Sequence, residues 1–197
     1  MTAEPLSAKQ IARRNQVLDA ASECFVEKGF HRAGMAEIAD RAQMSSGHIY
    51  HYFKNKDDII EAIVDREIQS SLDRISELEN LQADKFADGV IAQLETHLNG
   101  VGSIFKSRLN FEIIAESERN PAVEKRVQFQ RSAIRTKLTN VFASKLGLTN
   151  ADIVADACMA VFFGTMMAPG RSAEEQHKAS LNPLLTAFLR GVLAPAS

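Results

Sequence analysis

The stretch MAEIADRAQMSSGHIYHYFKNKDDI, residues 35–59, indicates two short helices joined by a tight turn. The first helix has an apolar face with the i, i+3, i+4, i+7 spacing of an amphipathic helix, formed by Met35, Ile38, Ala39 and Ala42. The second helix is expected at about residues 46–52, with Ser45 as its N-cap. Such a pair is typical of a helix-turn-helix, whose second helix enters the major groove of DNA.

The sequence also predicts how the first helix of this pair begins and ends. Gly34 is the expected N-cap, and Glu37 is spaced so that its carboxylate can reach back to the free N–H groups of the first turn. Gln43 occupies the turn between the helices, where a residue that tolerates positive φ, usually glycine, is preferred. Gln43 is therefore expected to be slightly strained, unless the turn has a different shape.

The second helix and the segment after it supply the candidate DNA contacts. Candidates for reading base edges are Ser46, Gly47, His48 and Tyr50; candidates for binding phosphates are Ser45, Tyr50, His51, Tyr52, Lys54 and Lys56. Gly47 costs about 1 kcal/mol relative to alanine inside a helix, and close approach to a groove wall would explain it. His48 and His51 lack a third metal ligand at a suitable spacing, so no metal and no cofactor are expected.

Residues Val17 to Ile60 resemble the DNA-binding domain of the TetR family of bacterial transcriptional regulators. The matching residues are Ala20-Ala21, Phe25, Gly29-Phe30, Ile38-Ala39, Ser45, Gly47, Ile49-Tyr50, Tyr52-Phe53, Lys56 and Ile59. The chain departs from the family pattern at three places, namely Ala33-Gly34, Gln43-Met44 and Tyr52, where the family usually has threonine, Gly-Val and histidine. The resemblance implies a dimer that binds DNA and, usually, a small molecule among its C-terminal helices.

Composition agrees with a globular protein, since 45% of the 197 residues are hydrophobic and 24% are charged. No run approaches the roughly 18 apolar residues of a membrane span, and MTAEPLSAKQIARR has no apolar core for a secretory signal, so a cytoplasmic protein is expected. Cys24 and Cys158 lie in helical apolar patterns, which favours small buried hydrophobes over a redox switch.

Residues 1–56 hold eight Lys/Arg and six Asp/Glu, whereas residues 57–197 hold fifteen and nineteen. The basic part thus coincides with the motif.

Hydrophobic periodicity predicts helices along the whole chain. Besides the motif, they are expected at 8–28, 57–79, 84–98, 103–118, 121–146, 150–168 and 174–193. The predicted fold is all-α, with an N-terminal three-helix helix-turn-helix domain at 1–56 and a C-terminal helical domain for ligand binding and dimerisation at 57–197. The helix at 57–79 starts directly after the motif and is the expected mechanical link.

The last helices carry more apolar surface than a surface hairpin should expose, which favours a homodimer through residues 150–193; the alternative is that they pack in the monomer core. An effector pocket is expected among the central helices, and the alternative is ordinary core and solvated charges. Its candidate residues are His97, Phe105, Arg108, Phe111, Glu112, Phe129, Met159 and Phe163. Aromatic rings near carboxylates would suit an apolar or cationic effector.

The hypothesis from sequence is therefore a homodimeric, ligand-responsive transcriptional regulator, more a repressor than an activator, on a palindromic double-stranded DNA operator. One alternative is a DNA-binding architectural or cell-cycle protein without an effector. An enzyme on a helical bundle is the other alternative, but the chain has no Gly-rich phosphate loop, no GxSxG and no CxxC. We expect no enzymatic activity.

Overall fold

The computed structural model describes residues 7–99, 102–166 and 183–194. All regular elements in these segments are α-helices, in agreement with the all-α prediction. They are α1 Ala8–Lys28, α2 Met35–Arg41, α3 Ser46–Tyr52, α4 Lys56–Leu78, α5 Ala83–Asn99, α6 Ser103–Ser117, α7 Pro121–Leu146, α8 Ala151–Met166 and α9 Pro183–Val192. The predicted start of the last helix at residue 174 lies outside the described residues.

The chain divides into two compact units. The N-terminal unit comprises Met1–Arg66 and Arg108–Val127, and the C-terminal unit comprises Glu67–Ser107 and Gln128–Ser197. Helices α4, α6 and α7 each contribute residues to both units. The division predicted between residues 56 and 57 concerns function, and it stays a prediction.

Helix α1 is bounded by the two residues that its sequence predicts. The Ser7 hydroxyl accepts a hydrogen bond from the Gln10 N–H at 3.3 Å, and the Gln10 side chain accepts one from the Ser7 N–H at 2.8 Å. This reciprocal capping box satisfies two N–H groups that have no partner inside the helix. Gly29 ends the helix with φ 81°, a left-handed conformation that glycine adopts at little cost.

The core of the N-terminal unit contains large side chains from all of its early helices. Those that are almost fully buried include Val17, Leu18, Phe25, Ile38, Ile49, Ile59, Ile60 and Ile63. Burial of each Leu, Ile or Phe contributes roughly 1.5–3 kcal/mol. Since Ile49 is the buried residue of α3, this core holds the second motif helix against the rest of the unit.

The turn between α2 and α3 is a Schellman motif. The Met44 N–H donates to the Ala39 carbonyl and the Gln43 N–H to the Asp40 carbonyl, both at 2.9 Å. Gln43 occupies the left-handed position with φ 52°, so the expected strain is present. The Gln16 side chain of α1 donates to the Ala42 carbonyl at 2.7 Å and ties the turn to the first helix.

The expected role of Glu37 differs from the observed one. Gly34 precedes α2 as its N-cap, but Glu37 forms an ion pair of 2.6 Å with Lys28. The ammonium group of Lys28, in the last turn of α1, lies within reach and attracts the carboxylate more strongly than neutral N–H groups do.

The turn of Gly29, Phe30 and His31 is held by side chains from distant parts of the chain. The Phe30 N–H donates to Glu112 of α6 at 3.2 Å. The Lys56 ammonium donates to the carbonyls of Phe30 at 2.7 Å and His31 at 3.1 Å, and it lies 4.7 Å from the centroid of the Phe30 ring. These side chains supply hydrogen-bond partners for backbone groups of a turn that lies outside any helix.

The core of the C-terminal unit is an apolar cluster drawn from α4, α5, α7, α8 and α9. Phe86 and Phe142 form its centre, with ring centroids 5.9 Å apart in an edge-to-face arrangement. Cys158 belongs to the same cluster, and burial raises the pKa of its thiol to about 11. Both cysteines are free and buried, as expected from their apolar surroundings in sequence. Among the described helices, none is long and apolar enough to cross a membrane.

The strain at Gln43 gives a stability prediction. Gln43→Gly should raise the free energy of unfolding by roughly 0.5–1 kcal/mol, because relief of the left-handed strain outweighs the added freedom of the unfolded chain. Denaturant unfolding followed by circular dichroism measures this change. Gln43→Ala keeps the strained φ with a side chain present and should give no gain. A glycine variant no more stable than the alanine variant would contradict this account.

Candidate DNA interface and candidate effector cavity

Helix α3 presents a polar outer face on a firmly packed inner face. The Ser45 hydroxyl caps it by accepting from the His48 N–H at 3.3 Å, as predicted. Ile49 and Phe53 are buried, whereas the side chains of the opposite face are exposed, namely Ser46, Gly47, His48, Tyr50 and His51. Tyr50 is 53% exposed, an unusual degree for so large a side chain.

Two features suit this face to a close-fitting partner. A Cβ atom added at Gly47 would meet no atom within 4 Å, so the packing of the chain itself does not require glycine there. Tyr52 is half-buried and contacts both histidines: it stacks on His48 with centroids 5.5 Å apart and meets the edge of His51 at 5.3 Å. Tyr52 therefore restrains the two imidazoles rather than projecting alone.

The two lysines after α3 occupy different environments. Lys54 is exposed, and its backbone N–H donates to Asp58 at 3.0 Å. Lys56 uses two of its three N–H groups on the carbonyls of Phe30 and His31. These bonds give Lys56 a role in the fold, so Lys54 is the freer cation of the pair. The predicted phosphate contact of Lys56 stays a prediction.

The arginines near the motif are also placed by packing. Arg14 lies over the ring of Phe53 at 4.8 Å, and Arg13 donates to Gln16 at 2.9 Å. The guanidinium of Arg41 pairs with Glu27 at 2.6 Å, and this bond lowers the pKa of the Glu27 carboxyl. Arg13 is exposed while Arg14 is half-buried, so Arg13 is the freer of the two for contact with a partner.

Residues 17–63 match the model of the bacterial regulatory proteins of the tetR family. The fold agrees over the full length with GusR of Salmonella enterica, with a TM-score of 0.77, 27% identity and coverage of 96% of this chain and 99% of that one. Over residues 17–63 the chain matches the TetR family. This match confirms the resemblance of the early residues, and the curated relatives that match are transcriptional regulators rather than enzymes.

Two curated relatives set the scale of the similarity. UidR of Escherichia coli K12, an HTH-type transcriptional regulator, is 35% identical over 111 residues, which cover 56% of this chain and 54% of UidR. The match thus spans about half the length of that relative. BetI of Escherichia coli K12, also an HTH-type transcriptional regulator, is 27% identical over 190 residues, with coverage of 94% and 96%.

The C-terminal unit contains a partly open cavity of about 130 Å³. Four helices line it. The lining residues are Ser71, Arg74, Ile75 and Leu78 of α4; Val90, Gln93 and Leu94 of α5; Ile134, Leu138 and Phe142 of α7; and Cys158, Met159, Phe162 and Phe163 of α8. The wall is mostly apolar, with Arg74 as its charged group.

Of the effector candidates from sequence, Met159 and Phe163 line this cavity. Arg108, Phe111 and Glu112 belong to the N-terminal unit, where Phe111 is half-exposed and Glu112 is bound to the Phe30 N–H. Phe105 and Phe129 lie in the C-terminal unit away from the lining, and Phe129 is 66% exposed. The side chain of His97 lies outside the described residues.

Sequence reasoning missed Ser71, Arg74 and Gln93. The signal was present on α4, because positions 71, 74, 75 and 78 have the i, i+3, i+4, i+7 spacing of one helix face. An arginine on a face that otherwise carries Ile75 and Leu78 is a polar group directed at apolar surroundings. Among the described residues, no group of three or more His, Cys, Asp or Glu side chains is arranged to hold a metal.

The different environments of Lys54 and Lys56 give a paired prediction. Lys56→Ala should lower the free energy of unfolding by about 1–3 kcal/mol, because the carbonyls of Phe30 and His31 lose their donor. Lys54→Ala should leave stability unchanged and reduce the salt slope of DNA binding by about one. Denaturant unfolding and DNA affinity at several salt concentrations measure both effects. A fully stable Lys56→Ala variant with a reduced salt slope would reverse the two assignments.

Proposed function

We propose that this TetR-family chain is a ligand-responsive transcriptional regulator that binds a palindromic DNA operator as a homodimer. It acts as a repressor, and a small-molecule effector releases it from the operator in the cytoplasm. The observation that carries the DNA part is the exposed polar face of α3, mounted on the buried Ile49 and Phe53. A rigid inner face and a polar outer face are what a major-groove recognition helix needs.

The candidate contacts divide by their chemistry. Ser46, Gly47, His48 and Tyr50 read base edges, because they occupy the outer face from the start of α3 onward. Ser45, His51, Tyr52 and Lys54 contact phosphates at the margins of this face, as does the hydroxyl of Tyr50. With a net charge of −2, the chain depends on a few well-placed contacts and on a second copy rather than on a broad basic surface.

The dimer interface is proposed on α8 and α9. Among the described residues of α8, Ala160 and Gly164 are exposed, and Ile153 is 64% exposed. Helix α9 exposes Ala187, Gly191 and Phe188, the last to 47%. Small residues beside large apolar ones allow helices of two copies to approach closely and bury the apolar groups in a four-helix bundle. Residues 167–182 of the proposed interface lie outside the described residues.

The effector is proposed to act through α4 and α7, which both line the cavity. In the N-terminal unit the same two helices are joined by Arg126 of α7, which donates to Glu61 at 2.6 Å and to both oxygens of Asp65 at 2.6 and 2.7 Å. These carboxylates raise the pKa of Arg126 and keep it charged. An effector that prefers one arrangement of α4 and α7 shifts the population toward it, and with it the spacing of the two α3 helices.

A second candidate is a DNA-binding regulator of the same fold that responds to no effector. The size of the cavity favours it, because about 130 Å³ is less than the roughly 300–1,000 Å³ of ordinary ligand pockets. A small ligand can still occupy such a space. Operator affinity measured with and without a bound small molecule separates the two candidates.

Selection of bound sequences from a random DNA pool tests the DNA-binding proposal. A palindrome with half-sites about 34–36 Å apart, or a small multiple of that distance, is the expected product. Enrichment of an asymmetric sequence would refute the homodimeric reading head, and absence of any enrichment would refute sequence-specific binding.

The division of contacts on α3 gives a specificity prediction. His48→Ala and Tyr50→Ala should each change the base preference at one or two operator positions, with a loss of about 1–3 kcal/mol on the wild-type site. Lys54→Ala is the matched control and should weaken all sequences equally. Parallel selections with the three variants measure the preferences, and an unchanged preference in both the histidine and tyrosine variants would remove these residues from base reading.

The proposed interface gives an assembly prediction. Phe188→Glu should convert the dimer into a folded monomer, because it places a charge where an apolar ring is buried between two copies. Phe129, on α7, is 66% exposed, and Phe129→Glu is the control that should remain dimeric. Analytical ultracentrifugation with circular dichroism distinguishes the outcomes. If only Phe129→Glu dissociates the dimer, the interface lies on α7 and not on α9.

A further inference from the structure

The arginines of the C-terminal unit are not all neutralised. Among its described residues, Arg135 forms two hydrogen bonds with Asp156 at 2.7 and 2.8 Å, and Arg190 pairs with Asp88 at 2.9 Å. Arg74 and Arg131 form no ion pair with any described carboxylate. Arg74 lines the cavity, and Arg131 lies 5.6 Å from the centroid of the Phe163 ring, which also lines it. Among the described residues of this unit, the arginines without an ion pair are thus the two associated with the cavity.

Arg74 is held in place by neutral partners. One terminal nitrogen of its guanidinium donates to the Ser70 hydroxyl at 2.7 Å, and the other donates to the Ser71 hydroxyl at 3.0 Å. Gln93 lies beside it, because its amide donates to the Arg74 carbonyl at 2.9 Å. A guanidinium has five N–H groups, so three remain for a further acceptor, enough for the two parallel bonds that a carboxylate accepts.

The charge of the lining selects among ligand classes. Among the described residues that line the cavity there is no Asp or Glu. A cationic ligand would face a guanidinium with no carboxylate to offset it, and a neutral ligand would cover part of a charged group without pairing it. An anion gains charge-assisted hydrogen bonds from Arg74 and loses nothing to a competing acid. The ligand class that follows differs from the apolar or cationic effector expected from sequence. Glu112, a candidate carboxylate for that effector, accepts a hydrogen bond from the Phe30 N–H.

The volume sets the size of the apolar part. A cavity of about 150 Å³ lined by apolar side chains binds benzene, and this cavity has about 130 Å³. Phe142, Phe162, Phe163 and Met159 supply aromatic and sulfur surface that suits a flat ring. The space accommodates one ring or a branched chain of similar volume, with the carboxylate at the Arg74 side.

We propose that the effector is a small monocarboxylate whose apolar body has about the size of a benzene ring, with Arg74 as its specificity-determining residue. The proposal rests on the effector role proposed for this cavity. Arg74 belongs to α4, so the anion binds directly to the helix that carries Glu61 and Asp65 in the N-terminal unit.

Three compounds of nearly equal shape and different charge test the ligand class. Benzoate is an anion, benzamide is neutral and benzamidinium is a cation. Calorimetric titration of the full chain without DNA should show benzoate binding about tenfold or more tightly than benzamide, with benzamidinium weakest. Equal binding of benzoate and benzamide, stronger binding of benzamidinium, or no benzoate binding in the millimolar range would overturn the proposal.

Substitutions test whether Arg74 causes the preference for benzoate over benzamide. Arg74→Gln should remove the preference for benzoate while the affinity for benzamide stays unchanged, which also shows that the cavity is intact. Arg74→Lys keeps the charge and should retain part of the preference. Arg190→Gln, a change at an exposed arginine of the same unit, should behave as wild type. A benzoate preference that survives in Arg74→Gln would exclude Arg74.

The operator assay keeps this proposal separate from the proposed function. If the chain binds its selected operator and benzoate does not bind, the ligand class is wrong and the DNA-binding function stands. If benzoate binds through Arg74 but operator affinity stays the same at saturation, the anion site stands and the effector role is wrong.

Discussion

The turn of Gly29, Phe30 and His31 is the point on which the N-terminal unit depends. The turn follows α1 and leads into the recognition pair, and its polar backbone groups find partners in the side chains of Lys56 and Glu112. Buried or half-buried backbone groups are costly without such partners. Beneath the turn, Glu116 is buried with one oxygen 3.2 Å from His31, although the two atoms are not aligned for a hydrogen bond. The turn before α2 and α3 thus relies on residues of α4 and α6.

This dependence has a consequence for regulation. Helix α4 begins at Lys56, which holds the turn, and continues past Glu61 and Asp65 to Arg74. Any preference of a ligand for one position of α4 acts on the helix that supplies the donor to the turn. Arg126 joins α4 to α7 in the N-terminal unit through the carboxylates of Glu61 and Asp65.

Helix α3 shows how a short element becomes a firmly held helix with an exposed polar face. It has seven residues, too few for stability in isolation. Its order comes from the Ser45 cap, the Schellman turn at Gln43, and burial of Ile49 and Phe53. Each of these uses the inner side or the ends of the helix, so the outer face is free for a partner. This arrangement strains the backbone at Gln43, which is not glycine but adopts the left-handed conformation. The hydrogen bonds of the turn maintain that conformation.

The sequence by itself determined the helices, their ends and the motif. Ser7, Gly29 and Ser45 act on groups within four residues, so local spacing was enough to identify them, and the strain at Gln43 followed from turn geometry. Only the tertiary structure decided which charges are already engaged. Lys56 bonds a carbonyl 26 residues away and Glu112 an N–H 82 residues away, and no periodicity reports such contacts. In the sequence, Arg74 is one polar residue on an otherwise apolar helix face. Its place in the wall of a cavity is visible only in the tertiary structure, because four helices from distant parts of the chain form that cavity.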